Sequence, residues 1–202
     1  AGGAGAAAAV TRVCWFGAYD PAYPRNRILR AGLVRAGLEV VEARVAERRA
    51  ILRYPALIAA SSAAFSADAI VVPEFRHKDV PLARGIAGSR LLVFDPLVSR
   101  HDTLVGDWGL HRANSPQARW NLMLDRWTLG LADRVLCDTW AHGALFARLG
   151  VDRRRLRRIV VGAEDAFFDV AEPAGSATVR IVYVGGFLPL HGVPLVLEAL
   201  AL

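Results

Sequence analysis

Cysteine is scarce. Cys14 and Cys137 are the only two, each inside an apparent core strand, with no Cys-x-x-Cys or Cys/His spacing. That argues against a disulfide framework, a catalytic thiol and a metal centre, and reads as two small buried hydrophobes in a reducing compartment. Long apolar runs are missing as well: no segment reaches the ~18 consecutive apolar residues of a membrane span. Residues 1–9 form an Ala/Gly tail without a basic n-region or long apolar core, so they do not read as a signal peptide. No initiator methionine precedes them, which leaves the true start free to lie upstream. No GxGxxG follows a strand, which disfavours nicotinamide and flavin, and neither a Walker A sequence nor a GxSxG elbow occurs. Lysine is nearly absent. Lys78 is the only one among 25 basic residues, a bias that fits a GC-rich coding sequence as well as a ligand preference.

The 202 residues that are there are 54% hydrophobic and 22% charged, the balance of a folded globular chain. They suffice for one sizeable α/β core, or for a domain and a fragment of another. A net charge of +6 favours an anionic partner such as a phosphorylated substrate, a membrane surface or nucleic acid. No recognition helix or aromatic–basic motif supports nucleic acid, so none is expected.

Strands and helices alternate along the chain, which predicts an α/β fold with a doubly wound parallel sheet. Strands are expected at 10–16, 38–43, 69–73, 90–95, 134–137 and 159–161. Asn26 is expected to cap a helix with the apolar stripe Ile28, Leu29, Leu33 and Ala36, closed by Gly37. Residues 47–66 read as helical, broken near Pro55. A further helix is expected near 81–88. Residues 97–114 lack periodicity and read as a long functional or mobile loop. Ser115-Pro116 opens a helix whose face of Trp120, Met123, Leu124, Trp127 and Leu131 is expected in the core. Thr139 caps the helix 140–149, and the basic run 153–158 reads as an exposed connector with acidic lipid headgroups as an alternative contact.

In such sheets ligands bind beyond the carboxyl ends of the strands. Gly17, Tyr19, Asp20, Arg25 and Asn26 follow the first strand, and Glu74, Arg76 and His77 follow the third. Asp95, Ser99, Arg100, His101 and Asp102 follow the fourth, Asp138 and Thr139 the fifth, and Glu164 and Asp165 the last. Asp95, directly after a buried strand, reads either as a carboxylate that orients or deprotonates a hydroxyl, or as an Asx turn. Arg25, Arg27 and Arg30 read either as phosphate ligands at a helix start or as a solvated basic face. At the far end, Val179–Val184 reads as a buried strand, Gly185-Gly186 as a turn able to cradle a diphosphate, and Pro194 as the first turn of a helix. Residues 169–178 have linker composition.

Three stretches in this order resemble the bacterial glycosyltransferase family 4, whose fold is GT-B with two facing Rossmann-like domains. They are Leu131-Ala-Asp-Arg-Val-Leu-Cys-Asp-Thr139, then Leu149-Gly-Val with Val160-Val-Gly-Ala-Glu-Asp-Ala-Phe-Phe168, then Tyr183-Val-Gly-Gly-Phe-Leu-Pro-Leu-His-Gly192 with Glu198-Ala199. The resemblance implies four parts: a tail at 1–9, an acceptor-side domain at 10–168, a linker at 169–178, and the start of a donor-binding domain at 179–202. It implies transfer of a hexosyl-type sugar, with retention and without a metal or other cofactor, from a nucleotide-diphosphate donor. The acceptor would be a hydroxyl of a lipid-linked or polysaccharide intermediate.

On that resemblance, Asp95 stands at the reaction centre, where the family often has a histidine. Gly17, Tyr19, Asp20, Arg25, Asn26, Glu74, Ser99, Arg100 and His101 would bind the acceptor. Gly185, Gly186 and His191 would meet the donor diphosphate, with Gly186 and His191 replacing the family's arginine and lysine. The family's Glu-x7-Glu segment has no counterpart here, so the chain alone is expected to be an inactive fragment. A cytoplasmic location follows, with peripheral membrane contact left open. The alternative is a non-catalytic, glycosyltransferase-like binding protein or partner subunit.

Overall fold

The computed structural model describes residues 11–47, 49–171, 181–185, 187 and 191–201. Six strands form one all-parallel sheet: β1 (Arg12–Gly17), β2 (Glu39–Arg44), β3 (Ala69–Val72), β4 (Leu91–Phe94), β5 (Arg134–Cys137) and β6 (Leu156–Arg158). Their order across the sheet is β2-β1-β3-β4-β5-β6. The helices are α1 (Pro24–Arg35), α2 (Ala50–Ala59), α3 (Ser62–Phe65), α4 (Val80–Ala87), α5 (Pro116–Leu131), α6 (Trp140–Arg148) and α7 (Val193–Leu200). This is the doubly wound α/β architecture that the alternation predicts.

Period-two alternation divides each strand between two layers. Cys14, Phe16, Ile70, Val72, Leu92, Phe94, Val135 and Cys137 point to one face and pack with Leu57, Ala64, Val80, Ala83, Leu129 and Phe146 from α2–α6. Val13, Trp15, Val71 and Val93 point to the other, where Leu29 and Leu33 of α1 cover them. Beside α1 an apolar groove of about 680 Å³ remains, lined by Trp15, Leu33, Val71, Val93 and Leu136 among others. Both cysteines are free and buried, and burial pushes the Cys14 thiol up to about 12, so it stays protonated.

Several sequence expectations need correction. The residue that caps α1 is Tyr23, with Pro24 in the first turn; Asn26 lies inside the helix, wholly buried. Helix α2 runs through Pro55. The carbonyl that Pro55 cannot serve, that of Ile51, belongs to an exposed residue where water can take the bond. Residues 102–107 form a π-helical stretch, not a structureless loop. The last strand is 156–158 rather than 159–161; being an edge strand it tolerates arginine, and the run 153–158 is therefore part of the fold. Helix α5 turns Ala118, Asn121, Leu124, Asp125, Thr128 and Leu129 inward, while Trp120, Met123 and Trp127 face out.

Arginine ties the helix ends to the sheet. The Arg90 guanidinium reaches the carbonyls of Ala64, Phe65, Ala67, Ile86 and Ala87. Arg155 does the same for Leu129, Gly130 and Ala132 at the end of α5. These carbonyls lie at or just past helix C-termini, where intrahelical donors run out, and a planar fork serves several at once.

Toward the C-terminus, 181–184 carry no strand, and 179 and 180 lie outside the described residues, as do 1–9 and 172–178 of the expected tail and linker. A parallel strand needs a paired neighbour for its backbone groups, and no described strand adjoins this one. Ile181, Val182, Val184, Phe187, Leu195 and Leu197 are exposed.

Candidate functional site

The order β2-β1-β3 places a switch in winding direction between β1 and β3, the point where open α/β sheets bind ligands. The chain leaves β1 through Gly17, at φ +134°, where an added Cβ would meet Asp79 Oδ2 at 3.0 Å. Asp79 accepts from the Ala18 N–H at 3.0 Å and pairs with Arg53 at 2.8 Å, and Arg76 donates to the Ala18 carbonyl at 2.7 Å. The loop after β1 is thus fastened from β3's side, and the floor of the switch point is rigid.

Asn26 is the hub of the site. Its Oδ1 accepts from the Trp15 indole N–H at 3.0 Å, and its Nδ2 donates to the Asp20 carbonyl at 2.7 Å and to Glu74 Oε1 at 2.8 Å. All four residues come from different turns of the chain and meet because α1 starts directly over the gap between β1 and β3. Glu74 is only 3% exposed, and its Oε2 has no hydrogen-bond partner among the described residues. Burial pushes its carboxyl up to about 7; nearby Asp95 adds to this, while its own backbone amide, Asn26 and Arg76 oppose it. The next residue, Phe75, sits at φ +60° and meets Tyr23 edge-on at 5.8 Å. Leu97, past β4, is likewise at φ +61°. Positive φ on two bulky residues is strain held at the same rim.

Asp95, expected at the reaction centre, is wholly enclosed. Arg25 clamps it in both positions, Nε to Oδ2 at 2.5 Å and Nη2 to Oδ1 at 3.1 Å. Burial pushes the Asp95 carboxyl up, and the paired guanidinium opposes that shift. Both oxygens are thus engaged by Arg25 and neither faces solvent in this arrangement. The basic set at the start of α1 is engaged throughout: Arg27 pairs with Glu164 and Arg30 with Glu42. Arg25 is thus buried in the fold, Arg30 is partly covered, and Arg27 remains half exposed, as on a solvated face. Tyr19 is buried and turned away toward β2, where its hydroxyl donates to Glu42 at 2.7 Å.

Ser99, Arg100 and His101 do not reach the Asn26 hub. They gather on Asp125 of α5, which accepts from the Ser99 hydroxyl at 2.7 Å and from the Arg100 and His101 backbone N–H groups at 3.0 and 2.9 Å. Arg100 Nε also donates to Asn121. His77, fully buried, lies 3.2 Å from Asp125 without hydrogen-bond alignment and meets Phe94 edge-on. Burial, with Arg100 and Arg76 nearby, lowers the His77 pKa to about 3, so the ring is neutral. Asp125 was not foreseen; the signal available was the stripe Asn121, Asp125, Thr128 at helical spacing, opposite the tryptophans.

Of the expected diphosphate ligands, Gly186 lies outside the described residues. Gly185 is in a bend, and His191 Nδ1 is 2.8 Å from the Tyr183 hydroxyl. Among the described residues no group of three or more His, Cys, Asp or Glu could hold a metal ion, and no helix is long and apolar enough to cross a membrane.

No protein-family model matches the chain, and no curated protein matches it. Among solved structures it is similar to Alr3699/HepE of Anabaena in three ligand complexes. The complex with UDP and glucose is 16% identical at a TM-score of 0.44, over 74% of this chain and 44% of that one. The UDP-glucose complex is 15% identical at 0.42, over 75% and 44%. The UDP complex is 14% identical at 0.44, over 80% and 46%. The chain therefore spans less than half the length of these proteins.

Proposed function

We propose that the chain is the acceptor-side half of a nucleotide-sugar-dependent glycosyltransferase, and that the β1/β3 switch point holds the acceptor. The observation that carries this reading is Glu74 Oε2, a buried carboxylate oxygen without a partner at the position where this topology takes its ligand. With a pKa near 7 the group serves as donor or acceptor to a sugar or lipid hydroxyl at physiological pH. Asn26 ties Glu74 to the loop after β1 through the Asp20 carbonyl, while Asp95 acts indirectly by fixing Arg25. In the transfer, the acceptor oxygen bonds to the anomeric carbon as the bond from that carbon to the diphosphate breaks, the hydroxyl's proton passes to the departing diphosphate, and Glu74 orients the attacking hydroxyl. A hexosyl donor, retention, a lipid-linked or polysaccharide acceptor and peripheral membrane contact through the basic surface complete the reading, supported by the three family-like stretches.

The indole N–H of Trp15 reports on this hub, because it is bonded to Asn26. Titration with simple glycosides, followed at that indole resonance, should shift it, and Glu74→Ala should weaken the response ~10-fold or more, the scale of a lost charged hydrogen bond. A resonance unmoved by any glycoside or nucleotide sugar would remove the reading.

A second reading, a non-catalytic binding protein or partner subunit, is favoured by His191 and Gly186 in place of a basic pair and by the closed Arg25–Asp95 clamp. It predicts glycoside binding with no turnover of labelled nucleotide-diphosphate sugars, even with the rest of the protein attached.

A further inference from the structure

Because α5 spends its polar stripe on the interior, its outer side carries the large apolar residues. Trp120, Met123 and Trp127 are 50%, 49% and 51% exposed on one side of the helix. Arg119 and Arg126 stand exposed among them and share a shallow hollow of about 450 Å³ with Leu122, Met123 and Trp127. Neither arginine is ion-paired among the described residues. The helix has a single acid, Asp125, and it is buried, so the outer side presents no carboxylate. At the start of α5, Trp120 also borders a second hollow, of about 400 Å³, with Lys78, Arg100 and His111. The face therefore continues into the loop that follows β4.

We propose that this side of α5 docks on an anionic lipid surface, with Trp120, Met123 and Trp127 entering the headgroup layer and Arg119, Arg126, Arg100 and Lys78 meeting lipid phosphates. Tryptophan prefers that depth because its ring is apolar and its N–H is polar, and arginine beside it keeps its charge at the phosphate level. A lipid surface supplies continuous negative charge, which matches the outer side of α5, where no carboxylate stands; the nearest exposed acids, Asp102 and Asp107, lie in the loop after β4. A second copy of the chain is disfavoured, since a two-fold contact through this face would set Arg119 and Arg126 against arginines. The proposal deepens the membrane contact named above by assigning its face, and its test contains no sugar or nucleotide, so it fails or stands apart from the transfer reading.

The test is co-sedimentation with phosphatidylcholine vesicles, with and without phosphatidylglycerol, alongside tryptophan emission. Binding only to the anionic vesicles, with a blue shift, is expected. The Trp120→Ser/Trp127→Ser and Arg119→Glu/Arg126→Glu variants should each bind at least ~10-fold more weakly, since each basic residue near the surface contributes about a factor of five. Trp140→Ser, which alters an exposed tryptophan outside α5, should bind as the parent does. Circular dichroism identical to the parent shows that each variant is folded. Absence of vesicle binding, or binding that both double variants retain, overturns the proposal. So does a dimer in sedimentation analysis that these variants abolish, or binding of a single-stranded oligonucleotide in place of vesicles.

Discussion

Glu74, just past β3, and Asp125, inside α5, are both buried acids, yet their oxygens are treated differently. Asp125 accepts from the Ser99 hydroxyl and from two backbone N–H groups, so both of its oxygens are occupied. Glu74 has one donor from Asn26 on Oε1 and none on Oε2. Burial raises the pKa of each. The filled carboxylate fastens the β4–α5 loop to its helix, while the unfilled one leaves hydrogen-bonding capacity at the switch point. A buried acid reads as scaffold when its donors come from the chain, and as a site when one oxygen is left over.

The difference can be broken most severely at Asp125. Asp125→Ala should cost about 4 kcal/mol in urea denaturation, because three donors are stranded and each costs about 1–3. A loss below about 1 kcal/mol would mean that water replaces the carboxylate and that the two acids are alike.

Glu74 sharpens the contrast through pH. The folded protein keeps its proton until about pH 7, whereas an exposed glutamate releases it near 4.5. Between those values the folded state binds the extra proton, so this group's contribution to stability falls as pH rises and is level above pH 7. Relative to Glu74→Gln, the parent should lose up to about 3 kcal/mol across that window. A constant difference between the two at all pH values would place Glu74 among ordinary surface acids. The smallest effect is expected at Gly17→Ala, about 2 kcal/mol for a side chain forced to positive φ against Asp79. It should move the Trp15 indole resonance while leaving the region around Asp125 unchanged.

Most of the sheet was legible in the sequence, because β1, β3, β4 and β5 are short apolar runs and buried parallel strands need no polar face. The edge strand β6 was not, since its Leu-Arg-Arg composition reads as a connector. The rim position of Glu74 followed from its place after β3; its empty oxygen depends on Asn26, which lies 48 residues away and reads locally as a cap. The Arg25–Asp95 clamp joins residues 70 apart and has no local signature. On α5 the periodicity of Trp120, Met123 and Trp127 is genuine, but the buried stripe Asn121, Asp125, Thr128 runs about one residue, or about 100°, around the helix. Hydrophobicity placed Leu124 and Leu131 in the core, as found, but put Trp120, Met123 and Trp127 there too, because the polar stripe is held inward by loop contacts that no pattern encodes.

The arginine forks at Arg90 and Arg155 bear on how this sequence can change. A GC-rich code would supply arginine in place of lysine at random positions, with little consequence at the surface. At Arg90 a lysine could not do the same: five carbonyls depend on one planar group, and an ammonium offers three donors from a single nitrogen. Lysine is acceptable over most of the exterior and excluded at the ends of α3, α4 and α5. Whatever the codon usage, arginine is held at those ends by the geometry of the fold.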